Sequence, residues 1–184
     1  MASNYGYLVC YEHSHFYGRL MLTLYLVRHA RAMAIAPSDK ERELTPQGCS
    51  DAAKLGGLFQ EQLTVPEAIL CSSATRTIQT HQIMQEAGLS GDGLRFDDGL
   101  YNASASFLCD AIASCEVQSL AVIGHNPALA IALNQLAPAD DVAPDLIHFP
   151  TATIAHITFE LDDFKSVTPH SQGTLHALIR GSVL

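Results

Sequence analysis

Three short apolar runs set the strongest limit on the fold: LTLYLV at residues 22–27, AILC at 68–71 and SLAVI at 119–123. Each is too short for a helix and reads as a strand buried on both faces. Such strands need a covering layer on each side, and the segments between them supply it. Thr45 followed by Pro46 is an N-cap with proline at the first helical position, which predicts a helix to about Leu63. Ser72 and Ser73 predict the cap of a second helix through about Ala87, stopped by Gly88. Ser104 predicts a third to about Cys115, and Asn126-Pro127 a fourth to about Leu136. Residues 94–96 read as a short strand, 153–160 as a strand with one solvated or helix-covered face, and 175–180 as a last strand joined through 162–173. The acidic, proline-containing stretch 137–150 reads as a loop. This alternation predicts an α/β fold: a three-layer α/β/α sandwich with a mostly parallel central sheet and one antiparallel strand.

At 184 residues the chain is long enough for one substantial core. Residues 21–184 read as a single domain and residues 1–20, which precede the regular pattern, as an N-terminal extension. Within it, His13 and His15 read as surface histidines rather than half of a metal site. The formal charge of -9 argues against nucleic acid and anionic membrane as partners. It leaves room for a small anionic ligand, because a local arginine cluster overrides the global sign. Five cysteines without a C-x-x-C pattern suit a reducing compartment. No apolar run is long enough to span a bilayer, and the first twenty residues lack the layout of a secretory signal. A cytoplasmic location is expected.

Ligands of open α/β sheets sit beyond the carboxyl ends of the strands. Arg28 and His29 follow the first strand, SSATR with Arg76 follows the second, and Gly124-His125-Asn126-Pro127 follows SLAVI. Two arginines and two histidines therefore fall at the functional ends of three strands. Guanidinium forks match phosphate oxygens, and the exposed N–H groups of the helix beginning near Ser73 add to them. A neutral imidazole is a competent nucleophile toward phosphorus, and nearby arginines disfavour its protonation. A second histidine, when protonated, donates to the equatorial oxygens of the transition state. This chemistry needs no metal and no cofactor.

The motifs LYLVRHARA (24–32), SDKERELTPQG (38–48), CSSATRTIQT (71–80), VIGHNP (122–127) and FPTATIA (149–155) occur in order. Together they resemble the histidine phosphatase superfamily, also called phosphoglycerate-mutase-like, and within it the short SixA-type phosphohistidine phosphatases. Ala30 stands where the superfamily's R-H-G signature has glycine. The resemblance implies that His29 is the phosphorylated nucleophile, that Arg28 and Arg76 grip the phosphoryl group, and that His125 completes the pocket. It implies a further phosphate contact from Arg42, with supporting roles for Ser72 and Asn126.

Many members carry an acidic proton donor after the third strand. Here the region reads DDGLYNAS (97–104), and Asp97 and Asp98 read as turn residues. A sugar or serine alkoxide needs a general acid to leave, whereas a protonated imidazole leaves readily. The expected reaction is therefore hydrolysis of a phosphoryl group from a phosphorylated substrate, a phosphohistidine-bearing protein in particular. The alternatives are a broad phosphomonoesterase of small metabolites and a non-catalytic phosphate-binding module.

Overall fold

The structure, a computed structural model, describes residues 21–137, 148–168 and 171–184. The N-terminal extension, with His13 and His15, and most of the predicted 137–150 loop lie outside the described residues. The elements run β1 (Leu22–Arg28), α1 (Pro46–Glu61), β2 (Ala68–Ser72), α2 (Thr75–Ala87), β3 (Gly93–Asp97), α3 (Ala105–Ala113), β4 (Ser119–Gly124), α4 (Ala128–Leu136), β5 (Thr153–Phe159) and β6 (Thr174–Arg180).

The sheet order is β3-β2-β4-β1-β5-β6. β5 runs antiparallel to both of its neighbours, and the other pairings are parallel. This is the expected mostly parallel sheet with one reversed strand. Side chains alternate across it. Leu22, Leu24 and Leu26 of β1 join the cluster that contains Leu108 and Ile112 of α3 and Leu129 and Leu133 of α4. Tyr25 and Val27 of the same strand join Leu55 and Phe59 of α1 and Met84 of α2. One unbroken apolar run thus feeds two cores, which is why LTLYLV carries no polar face. Each fully buried leucine in it contributes roughly 1.5–3 kcal/mol of transfer free energy.

Of the two alternatives for β5, a solvated or a helix-covered face, the structure has the covered one: only His156 in it is less than buried, because β5 is an interior strand between β1 and β6. One expectation needs correction. Neither Ser72 nor Ser73 caps α2. Its N-cap is Ala74, which makes no side-chain capping bond, because Ser72 belongs to β2 and the Ser73 hydroxyl donates to Asp98. The Thr75 N–H is instead satisfied by the Lys40 carbonyl at 3.0 Å. The N-caps of α1 and α3 behave as read: the Thr45 hydroxyl accepts from Gly48 N–H and Ser104 from Phe107 N–H.

The parallel register aligns the strand ends. Arg28 of β1 pairs with Gly124 of β4, and Ile123 of β4 pairs with Cys71 of β2. The residues that follow, His29, His125 and Ser72, are brought together by the pairing alone.

Candidate active site

The segment leaving β1 is clamped by its neighbours. His29 N–H donates to the Gly124 carbonyl at 3.2 Å, and Ala152 N–H donates to the His29 carbonyl at 3.1 Å. Ala30 N–H donates to Thr80 Oγ1 at 3.0 Å. Thr45 N–H donates to the Arg31 carbonyl at 2.9 Å, and Ala32 bridges to Leu44. Leu44 N–H in turn donates to Gln79 Oε1 at 2.7 Å. A Cβ on Gly48 would run into the Arg31 carbonyl, so the glycine that ends SDKERELTPQG permits this close approach. The glutamine and threonine of CSSATRTIQT therefore hold the backbone on which His29 sits.

His29 is buried, and its Nδ1 lies 2.8 Å from the Ala30 carbonyl oxygen. A carbonyl only accepts, so Nδ1 carries the proton and Nε2 is the unprotonated nitrogen. Arg76, also buried, points its Nε–H at that nitrogen from 3.3 Å. Burial, opposed by the Ala30 bond and reinforced by the charges of Arg76, Arg28 and Arg42, lowers the His29 pKa to about 4. We expect the His29 ring to stay neutral from pH 7 down to about pH 5. An NMR titration of its ring nitrogens checks this, and protonation with a midpoint near 6.5 would contradict it.

His125 lies beside it, with ring centroids 5.0 Å apart. Burial first, then His29 and Arg76, lowers the His125 pKa to about 3. In the free protein, low dielectric and positive neighbours keep this second histidine neutral. Ser72 Oγ and His125 Nε2 are 2.8 Å apart, and His125 Nδ1 is buried without a partner among the described residues. A neutral ring carries one proton: on Nδ1 when the serine donates to Nε2, on Nε2 when the ring donates to the serine.

Arg28 donates through Nη1 to the Phe149 carbonyl at 2.8 Å, and Asn126 Nδ2 reaches the same oxygen at 3.0 Å. Asn126 thus supports Arg28 and does not itself meet the histidines. Phe149 has φ 48°, in the left-handed region that a non-glycine residue enters at a cost. That conformation aims its carbonyl at both donors, which gives FPTATIA a role in setting the arginine.

Arg42 donates through Nε to the Met33 carbonyl and through Nη1 to Asp39 Oδ1 at 3.0 Å. It reaches the quartet by way of Asp39, and its charge is near enough to depress His29. Asp97 caps the short turn 98–100 by accepting from Gly99 N–H, and Asp98 pairs with Lys40 at 2.8 Å, so both act as turn and rim residues.

Asp39 and Tyr101 were not expected at the site from the sequence. Asp39 Oδ2 accepts from Arg76 Nη2 at 3.1 Å and from the Tyr101 hydroxyl at 2.6 Å. The Tyr101 ring lies edge-on to His125, and the Arg76 guanidinium sits over its face. The Tyr101 hydroxyl, then Arg42, hold the Asp39 carboxyl well below the usual carboxylate range. Asp39 stands within SDKERELTPQG, but nothing local to that stretch shows that it meets Arg76.

Among the described residues no helix is long and apolar enough to cross a membrane. Cys49, Cys71, Cys109 and Cys115 are free thiols.

A family model of the histidine phosphatase superfamily (branch 1) matches residues 24–104. An uncharacterized protein of Mycobacterium tuberculosis, MT1313, is 34% identical over 137 residues, which are 70% of this chain and 84% of that protein. The structure of a candidate phosphohistidine phosphatase SixA from Agrobacterium tumefaciens aligns with TM-score 0.70 and 29% identity, over 86% of this chain and 97% of that one. Another from Nakamurella multipartitia aligns with TM-score 0.74 and 24% identity, over 86% and 95%. The chain belongs to the histidine phosphatase superfamily and is a phosphatase.

Proposed function

We propose that this phosphatase removes phosphoryl groups from phosphohistidine through a covalent intermediate on His29. The observation that carries the reading is the state of His29. Its Nδ1–H is spent on Ala30, its Nε2 is unprotonated, and the Arg76 Nε–H donates to that nitrogen at 3.3 Å, a contact that an incoming phosphoryl oxygen takes over. His29 Nε2 attacks phosphorus in line as the bond from phosphorus to the leaving nitrogen breaks, and the substrate ring, already protonated on its other nitrogen, departs as neutral imidazole. Water then attacks the phosphorus on His29, releasing inorganic phosphate and restoring the neutral ring. Arg28 and Arg76 neutralise charge on the equatorial oxygens in both steps, and His125 adds a neutral N–H donor. Arg42 adds its positive charge to the same region.

The leaving group follows from the surrounding acids. Asp97 and Asp98 are engaged on the rim. Asp39, the carboxylate tied to Arg76, is held ionised and accepts rather than donates. A site with such carboxylates favours a leaving group that carries its own proton, as an imidazolium does, over an alkoxide. The SixA name of the similar structures points to the same substrate. Ala34, Ile35 and Pro37 near Asp39 are exposed, and a recess of about 320 Å³ lined by Pro37, Asp39 and Arg42 among others opens beside them. The phosphorylated substrate is accordingly read as a protein.

Side-by-side assays test the proposal. We expect kcat/KM for a phosphohistidine protein to exceed that for simple alkyl phosphate esters by about two orders of magnitude or more, the usual weight of a general acid that ester cleavage would require. Equal or better turnover of the esters would favour a broad phosphomonoesterase. Phosphate binding without turnover of any substrate would favour a binding module.

A further inference from the structure

We propose that Asp39 is a built-in counter-anion that competes with the phosphoryl group for the arginines of the pocket and thereby assists release of inorganic phosphate. The proposal rests on the reading of this pocket as a phosphate site. Asp39 places one carboxylate oxygen on each of two arginines, Oδ1 on Arg42 at 3.0 Å and Oδ2 on Arg76 at 3.1 Å. Two acceptor oxygens spanning two guanidiniums are the arrangement that a phosphoryl group offers. Arg76 is itself the group that approaches the His29 nucleophile, so the carboxylate and an anion on His29 draw on the same guanidinium.

The attachment of Asp39 suits exchange. Its backbone is pinned: the Asp39 carbonyl accepts from Arg76 Nη1 at 2.7 Å, and the adjacent Lys40 carbonyl accepts from Thr75 N–H. Its side chain is about half exposed, whereas that of Arg76 is 8% exposed. A rotation about the Asp39 side-chain bonds therefore frees Arg76 Nη2, Arg42 Nη1 and the Tyr101 hydroxyl without moving the loop, and water solvates the displaced carboxylate and the tyrosine. The backbone contact keeps Arg76 in place throughout. A fixed negative charge beside the pocket also disfavours a retained dianion, because like charges at short range repel strongly where solvent screening is incomplete.

Equilibrium binding of inorganic phosphate to the full-length protein, followed by calorimetry, separates competition from simple positioning. We expect Asp39→Asn to bind phosphate about tenfold tighter than wild type, the equivalent of roughly 1.4 kcal/mol. Asp39→Ala should change in the same direction, and product inhibition by phosphate should strengthen in both. Should Asp39 serve only to orient Arg76, both variants would bind phosphate more weakly, with Ala worse than Asn. Unchanged or weaker binding in the variants, with normal binding by wild type, overturns the inference and leaves the phosphate site intact. Absence of phosphate binding by wild type and both variants overturns the site and the inference together.

Discussion

A His29→Ala variant is expected to lose turnover on every phosphorylated substrate, by at least about 10⁴-fold in kcat, as removal of a covalent nucleophile does. The expectation follows from the wiring of the ring. Ala30 fixes the tautomer, Gly124 and Ala152 fix the backbone on either side, and Thr80 fixes the next N–H. Among the described residues, the Nε2 of His125 faces Ser72, and His156 lies within β5, beside Tyr25 and His176. A His29→Asn variant, closer in shape, separates chemistry from folding. It should retain a near-normal melting temperature and phosphate affinity within a few-fold of wild type, with the same loss of turnover. Retention of most activity by either variant would remove His29 from the mechanism.

The second large effect belongs to Arg76. Arg76→Ala should reduce kcat/KM by about 10²–10³-fold, the cost of removing a charged donor aimed at the transition state. Its guanidinium serves three partners at once: His29 through Nε, and the Asp39 carbonyl and carboxylate through the two Nη atoms. Arg76→Lys keeps the charge but cannot form the fork, so it should recover only part of the loss. Added guanidinium ion should partly restore the alanine variant. A loss of only a few-fold in Arg76→Ala would mean that the phosphoryl group is held elsewhere.

The fold and the quartet were legible for one shared reason. Buried parallel strands announce themselves as short apolar runs, and in an open sheet the residues just beyond their carboxyl ends face the ligand. LTLYLV, AILC and SLAVI therefore located both the layers and Arg28, His29, Arg76 and His125. What escaped was set by contacts between distant segments. Ser72 and Ser73 look like helix caps locally, but β2 extends through Ser72, and partners outside the helix claim both hydroxyls. Asp39 is an ordinary loop aspartate until the chain folds it onto Arg76, 37 residues away. Tyr101 likewise reaches Asp39 across 62 residues. The protonation of His125 could not be read from its motif, because burial beside His29 and Arg76 decides it.

If His29 carries the phosphoryl group during turnover, the phosphoenzyme can be trapped. Rapid quench of the wild-type enzyme with radiolabelled phosphohistidine protein, followed by peptide mapping, makes the trial. The expected product is a phosphoenzyme that is acid-labile, alkali-stable and mapped to His29, formed as fast as turnover requires and absent from His29→Asn. Label on another residue, or full-rate turnover with no phosphoenzyme at any quench time, would contradict a covalent role for His29.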